Sequence, residues 1–185
     1  LVVVDVQNDF ADPAGSLHVL HGEDVIGVVN AEVAKARAAG ALVAYTQDWH
    51  PPDTPHFAKD GGTWPVHCVR DTWGARLHPD LVVDGEVVRK GTGGEDGYSG
   101  FTVADPVSGE QRPTGLADLL AAHGVEKVVV AGLATDYCVK ATALDAARLG
   151  FATTLVREGV RPVEVAPGDG GRAIEEMAAA GVALA

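Results

Sequence analysis

The stretch KVVVAGLATDYCVKATAL, Lys127 to Leu144, joins a short apolar run to a segment of helical character. Its valines form a continuous β-branched run rather than an alternating one, as expected of a strand that is covered on both faces. Thr135 or Asp136 can serve as the N-cap of the following helix, which we expect to end at Gly150. A strand that leads directly into a helix forms half of a β-α-β unit, so this stretch predicts an α/β fold.

The rest of the chain repeats this alternation. Other strands are predicted at 1–6, 41–47, 86–90, 151–157 and 182–185, and other helices at 24–40, 116–124 and 170–181. With the strand at 126–132, about six strands alternate with helices. This order predicts a three-layer, doubly wound α/β fold, in which a mainly parallel central sheet carries helices on both faces. No linker interrupts the pattern, so we expect a single domain over 1–185.

Composition narrows the class of protein. The chain has 14 Lys and Arg against 26 Asp and Glu, a net charge of −12, and its basic residues do not cluster, which argues against a nucleic-acid partner. The apolar runs are too short to span a bilayer, so no membrane association is expected. Two cysteines make no disulfide framework, which favours a cytoplasmic protein. Because Leu1 already lies in an apparent strand, we expect natural residues to precede it.

Four reactive side chains stand at the ends of four predicted strands: Asp5, Asp48, Lys90 and Cys138. Ligands of doubly wound sheets bind beyond the carboxyl ends of the strands, so these groups are expected at one edge. A helix N-terminus and the Lys90 cation would both lower the pKa of the Cys138 thiol, and Asp5 could accept its proton. The pattern indicates a nucleophilic cysteine; an ordinary core cysteine is the alternative at this point.

The segment from about 48 to 80 carries a second cluster of reactive groups. Its prolines, at positions 51, 52, 55 and 65, exclude a regular helix or a central strand. Within twenty residues it also contains Asp48, His50, His56 and His67. Imidazoles and a carboxylate suit one divalent ion such as Zn²⁺, Fe²⁺ or Mn²⁺, so we interpret the segment as a metal-binding loop region. A histidine-rich loop without a ligand is the alternative.

Other polar residues near these motifs are expected to have structural roles. Asp9 is expected to cap a loop rather than to act as a second base, and Cys68 to be a buried spectator. The glycines after Lys90 lack the Gly-Lys-Ser/Thr of a phosphate-binding loop. Four further histidines are read as surface or packing residues: His18, His21, His78 and His123.

Seven sequence blocks carry a family resemblance. They are DVQNDF (5–10), TQDWHP (46–51), HF (56–57), WPVHC (64–68), RKG (89–91), YSGF (98–101) and GLATDYCV (132–139). In this order, over nearly the whole chain, they resemble the nicotinamidase (pyrazinamidase) family of the isochorismatase-like cysteine hydrolase superfamily. The resemblance implies deamidation of nicotinamide, and also of pyrazinamide, through a thioester in NAD salvage.

The resemblance also implies roles for individual residues. Cys138 would be the nucleophile, Asp5 the general base and Lys90 the third member of a triad. One divalent metal ion would be held by Asp48, His50, His56 and His67. The peptide between Leu133 and Ala134 is expected to be cis, so that the amides of Ala134 and Cys138 form an oxyanion hole. The implied substrate-binding residues are Phe10, Trp64, Tyr98, Leu133 and Tyr137, of which the first three would wall the ring.

The sequence departs from the family at Tyr137, where many members have histidine, which puts a substrate contact from this side chain in doubt. The implied partner is a small molecule, nicotinamide, and homo-oligomerisation is left open. Two alternatives remain. A related hydrolase acting on another small amide or on isochorismate should not need the Asp-His-His-His set. A binding protein that has lost catalysis should lack a member of the triad.

Overall fold

A computed structural model describes all residues, 1–185, and contains eight strands. They are β1 (Val2–Val4), β2 (Ala44–Asp48), β3 (Glu86–Lys90), β4 (Thr102–Ala104), β5 (Gln111–Pro113), β6 (Lys127–Leu133), β7 (Ala152–Arg161) and β8 (Ala183–Leu184). Six of them form the central sheet in the order β3-β2-β1-β6-β7-β8, and all neighbouring strands are parallel. The predicted six-stranded parallel sheet is confirmed.

Five α-helices and three shorter helical turns connect the strands. The helices are α1 (Asn8–Ala11), α2 (Val25–Ala38), α3 (Leu116–Ala122), α4 (Lys140–Arg148) and α5 (Asp169–Ala179). The turns are 3₁₀ at Gly22–Asp24 and Ala58–Asp60, and π-helical at Thr135–Val139. None of the helices combines the length and the apolar character that crossing a membrane would require.

The central strands are buried on both faces, which explains their continuous apolar runs. In β1, Val3 packs in one core with Val29 and Val33 of α2. Its neighbours Val2 and Val4 point to the other face and pack in a second core, which includes side chains of α3, α4 and α5. The two cores on opposite faces of one sheet form the predicted three layers.

The start of the helix after β6 differs from the prediction. The chain first makes the π-helical turn, and Ala134 rather than Thr135 or Asp136 occupies the N-cap position, without a side-chain hydrogen bond. The Asp136 carboxylate instead accepts the backbone N–H groups of Val163 and Glu164, at 2.9 and 3.0 Å. The N-cap prediction is therefore wrong, because Asp136 is used by a loop that is distant in sequence.

Two elements were not predicted. The helix α1 follows shortly after β1, and β4 pairs with β5 as a small antiparallel hairpin apart from the main sheet. Both are only three or four residues per segment, too short to show a hydrophobic period.

The strand order reverses between β1 and β6, the place where doubly wound sheets bind their ligands. Asp5 follows β1 directly, and its φ of +46° is left-handed, a conformation that Asp tolerates better than most residues. Asp48 and Lys90 are the last residues of β2 and β3, and Cys138 lies in the turn after β6. The sheet thus brings the four predicted strand-end groups to one edge.

Close contact between β6 and β1 yields a stability prediction. Gly132 has a φ of +125°, and a Cβ there would lie 2.1 Å from the Val4 carbonyl oxygen. Gly150 also has a positive φ, +91°, but a Cβ there would meet nothing within 4 Å. We expect Gly150→Ala to cost about 1–2 kcal/mol of unfolding free energy. Gly132→Ala should cost about 3 kcal/mol or more, because two main chains must separate.

Urea unfolding of both variants measures the difference. Equal losses would mean that backbone conformation, and not the contact between the two strands, determines the need for glycine at position 132.

Candidate active site

Lys90 lies at the centre of the strand-end cluster and is almost completely buried. Its Nζ is 3.0 Å from Asp5 Oδ2 and donates a hydrogen bond to Asp48 Oδ1. It also lies 3.7 Å from Cys138 Sγ. The Lys90 ammonium group therefore contacts three groups: the carboxylate after β1, the carboxylate at the end of β2, and the thiol in the turn after β6.

The thiol is not activated in the way the sequence predicted. Burial raises the pKa of Cys138 well above its usual value, and Lys90 only partly offsets this because Asp5 and Asp48 act in the opposite direction. Lys90 does act to lower the pKa, as expected, but burial, which the expectation left out, outweighs it together with the two carboxylates. The resting thiol is therefore protonated and must lose its proton to a neighbouring group during attack.

The two carboxylates differ in their affinity for protons. Burial and the charge of Asp48 raise the pKa of Asp5, despite the neighbouring Lys90. Burial would also raise the pKa of Asp48, but Lys90, His50 and His67 together lower it to about 2. Asp48 thus stays ionised, and Asp5 is the better proton acceptor for the thiol.

Two buried side chains that the sequence analysis missed hold these two acids, one at its carboxylate and the other at its backbone. Thr46 donates a hydrogen bond of 2.6 Å to Asp5 Oδ1 and accepts the Asp5 N–H at 3.2 Å. The Gln7 side-chain amide pairs with both backbone groups of Asp48 at 2.8 Å, and also donates to the Ala75 carbonyl. The only available signal was their position beside Asp5 and Asp48 in the motifs DVQ and TQD.

The three predicted histidines meet beside Asp48. The ring centroids of His50, His56 and His67 are 4.7 to 5.3 Å apart, and one nitrogen of each lies within 4.8 Å of the others. His50 Nε2 is 3.9 Å from Asp48 Oδ2, the carboxylate oxygen that Lys90 does not bond. Asp48 therefore stands between the histidine cluster and the strand-end cluster.

The histidine cluster fits a divalent cation. Burial lowers the pKa of His50 to about 4 and also lowers that of His67, so both rings are neutral at pH 7. Both ring nitrogens of His50 are buried and have no hydrogen-bond partner in the protein. Neutral imidazoles beside an ionised carboxylate are the ligand set that Zn²⁺, Fe²⁺ and Mn²⁺ accept.

A narrow, mainly apolar pocket opens between the two clusters. Of the predicted site residues, it is lined by Phe10, Trp64, Tyr98, Ala134, Tyr137, Cys138, Asp48, His56 and His67. The Tyr137 ring lies edge-on to Trp64 and Tyr98, at centroid distances of 4.9 and 5.2 Å, and Trp64 Nε1 donates to the Tyr98 hydroxyl. Tyr137 therefore helps to form the aromatic wall where many members of the family that this sequence resembles have histidine.

The apolar residues that line the pocket differ in part from those predicted. Leu133 is fully buried in the core on the α2 face and does not line the pocket, so its assignment to the substrate-binding set is corrected. As the last residue of β6 it points into the sheet packing rather than out of the strand end. Leu17, Val19 and Val163 line the pocket instead. They come from irregular segments whose course carries no periodic signal.

The peptide between Leu133 and Ala134 is cis, as the resemblance implied. The Ala134 N–H donates to no other group of the protein. Because Ala134 and Cys138 both line the pocket, an unpaired backbone donor lies at the wall that carries the thiol. Such a donor is what an oxyanion hole requires.

Asp9, Cys68 and His78 were expected to have structural roles, and each is buried among other residues away from the pocket lining. Asp9 accepts the backbone N–H groups of Ser16 and Cys68, at 3.0 and 2.7 Å, and so ties two loops together. Cys68 is fully buried, and both cysteines are free thiols. His78 is buried and accepts the Asp80 N–H.

Comparison with known proteins identifies the family. The isochorismatase domain model matches residues 1–185. A nicotinamidase of Escherichia coli (strain K12) is 37% identical over 202 residues, which cover 100% of this chain and 92% of the relative.

Two solved structures are also similar over at least nine-tenths of their length. The pyrazinamidase of Pyrococcus horikoshii in complex with zinc has a TM-score of 0.87 at 39% identity, covering 100% of this chain and 96% of that one. PnC1 from L. infantum in complex with nicotinate has a TM-score of 0.88 at 36% identity, covering 100% and 90%. The chain belongs to the isochorismatase family and is an amidohydrolase.

Proposed function

We propose that the chain, as a single domain over 1–185, deamidates nicotinamide to nicotinate and ammonia. The observation that carries the proposal is the contact of Lys90 with Asp5, Asp48 and Cys138 below a pocket walled by aromatic rings. Relatives that are named nicotinamidase or pyrazinamidase support this choice of substrate, with pyrazinamide as a second one. The setting that fits is NAD salvage in the cytoplasm.

The reaction begins with the thiol. Cys138 Sγ attacks the amide carbon while its proton passes to Asp5, whose raised pKa suits this transfer. The negative charge that develops on the amide oxygen is directed at the backbone N–H groups of Ala134 and Cys138. Lys90 stays charged, because the two carboxylates raise its pKa well above the usual value even though burial would lower it.

Collapse of this intermediate breaks the carbon–nitrogen bond. The proton held by Asp5 goes to the departing nitrogen, so ammonia leaves and a thioester to Cys138 Sγ remains. Water then attacks the thioester carbon and gives its proton to Asp5, which returns it to the sulfur. The products are ammonia and nicotinic acid, which ionises to nicotinate by giving its proton to ammonia or to water, and the protein regains its starting state.

The residues that would hold a divalent ion are Asp48, His50, His56 and His67. When bound there, the ion would supply Lewis acidity beside the pocket. The protein itself contributes two neutral histidines, His50 and His67, whose pKa burial lowers. It also contributes the Lys90 contact, which leaves Asp48 Oδ2 directed at the histidines.

The pocket lining favours a flat, mainly apolar substrate. It contains no Lys or Arg, and Lys90 is already paired with two carboxylates. Phe10, Trp64, Tyr98 and Tyr137 add aromatic rings to the lining, so a planar ring that carries an amide fits it.

The first prediction concerns the nucleophile. Cys138→Ala should lower turnover of nicotinamide by about 1,000-fold or more, because a triad acts as a unit. Cys68→Ser is the matched control and should keep most of the activity, since Cys68 does not line the pocket. Iodoacetamide followed by mass spectrometry should label Cys138 first, and nicotinamide should protect it. Inactivation that tracks modification of Cys68 would contradict the assignment.

The second prediction separates the triad from the metal ligands. Asp5→Asn should abolish acylation and keep the bound metal, because Asp5 contacts Lys90 rather than the histidine cluster. His50→Ala should release the metal and weaken both substrate binding and turnover. Metal analysis of each purified variant, together with ammonia release, measures the two effects. Full activity in protein proven to be free of metal would refute the role of the histidines.

The third prediction concerns substrate shape. Nicotinamide should exceed succinamate, a small amide without a ring, by about 100-fold or more in kcat/KM, because the aromatic lining packs against a planar ring and not against an aliphatic chain. Isochorismate and an N-carbamoyl amide should react no better than succinamate. Release of ammonia or pyruvate is followed for each compound with metal-loaded protein. Preference for either of the last two compounds would assign the chain to another activity of the family.

A further inference from the structure

The three imidazoles of the proposed metal site are held by different means. His67 Nδ1 bonds the Pro65 carbonyl oxygen at 2.7 Å. His50 has no hydrogen-bond partner and lies against the backbone of Gly91, where a Cβ would approach the ring to 2.6 Å. His56 Nδ1 is 2.6 Å from Oδ1 of a carboxylate, that of Asp96. His56 is therefore the only one of the three whose Nδ1 contacts a negatively charged group.

Asp96 reaches His56 from a different part of the chain. It lies in the segment between β3 and β4, forty residues after His56. Its backbone exchanges hydrogen bonds with Ala104, the last residue of β4, and its Oδ1 also accepts the Gly97 N–H at 3.0 Å. The unpredicted hairpin of β4 and β5 thus supports the carboxylate that contacts the ring.

We propose that Asp96 is a positioning residue for the metal site, acting through His56. It accepts the proton on Nδ1 and so leaves the Nε2 lone pair of His56 for the ion. Its charge also makes the imidazole a stronger donor, as carboxylates behind metal-bound histidines do. Asp48 would bind the ion directly, and Asp96 adds a second negative charge near the site. This inference rests on the metal site of the proposed function.

The test is Zn²⁺ affinity, measured by competition with a chromophoric chelator. Asp96→Ala removes both the hydrogen-bond acceptor and the charge, and should weaken Zn²⁺ binding by about 10- to 100-fold. Asp96→Asn keeps an acceptor oxygen for His56 and Gly97 but loses the charge, and should give a smaller loss.

Glu95→Ala is the matched control, because the Glu95 carboxylate is one residue away and accepts the Gly93 N–H rather than contacting a histidine. It should change the affinity by less than about threefold, as expected of a screened surface charge. Far-UV circular dichroism of each variant checks that the chain is folded.

A second measurement does not use the metal. In metal-free protein, ¹⁵N NMR of the imidazoles should find the His56 proton on Nδ1 in the wild type and redistributed in Asp96→Ala. His67, whose Nδ1 bonds Pro65, is the internal reference and should not change.

Unchanged affinity and an unchanged His56 tautomer in Asp96→Ala would overturn the role of Asp96 while leaving the metal site intact. An equal loss in Glu95→Ala would also overturn it, in favour of a general charge effect. If the wild type itself bound no Zn²⁺ while still hydrolysing nicotinamide, the metal part of the proposed function would fall together with this inference.

Discussion

The buried ion cluster around Lys90 is the interaction on which the candidate site depends. Its ammonium group contacts Asp5 and Asp48, so the ends of β1, β2 and β3 converge on one charge. Burying three charges is costly, and removing one partner of such a set typically costs about 3–5 kcal/mol. The arrangement persists because all three groups are fixed by parallel strands in register. The sheet therefore fixes the positions of the three groups, and their mutual contacts determine the pKa of each.

The cluster gives its two carboxylates different properties. Asp48 is surrounded by Lys90 and two histidines and stays ionised, whereas Asp5 faces the thiol and has a raised pKa. Thr46 bonds the Asp5 carboxylate and Gln7 bonds the backbone of Asp48, and both side chains are fully buried, so the two acids are held in place. One lysine thus separates a proton acceptor from a candidate metal ligand in a small volume.

Much of this was predictable from the sequence, for identifiable reasons. Long apolar runs such as Lys127–Leu133 give strands, and the strand-end rule brings Asp5, Asp48, Lys90 and Cys138 to one edge. Contacts between distant loops were not predictable. Asp136 looks like an N-cap but bonds the segment at Val163, and the pKa of Cys138 depends on burial that no local pattern reports. The sequence predicts which side chains stand at the ends of the strands. Their protonation depends on burial and on the charged groups packed around them, which only the structure shows.

The Asp136 contact links the turn that carries Cys138 to the wall of the pocket. Asp136 is two residues before Cys138 in the π-helical turn, and its carboxylate bonds the backbone of Val163, which lines the pocket. Glu164 continues the connection, because its carboxylate accepts the N–H groups of Gly168 and Gly170 at the start of α5. One chain of carboxylate hydrogen bonds therefore connects three parts of the structure: the turn that carries the thiol, the wall of the pocket at Val163, and the start of α5. Asp136 and Glu164 bond backbone groups, and Asp5 and Asp48 share Lys90, so each of these carboxylates has a partner and the lining of the pocket stays mainly apolar.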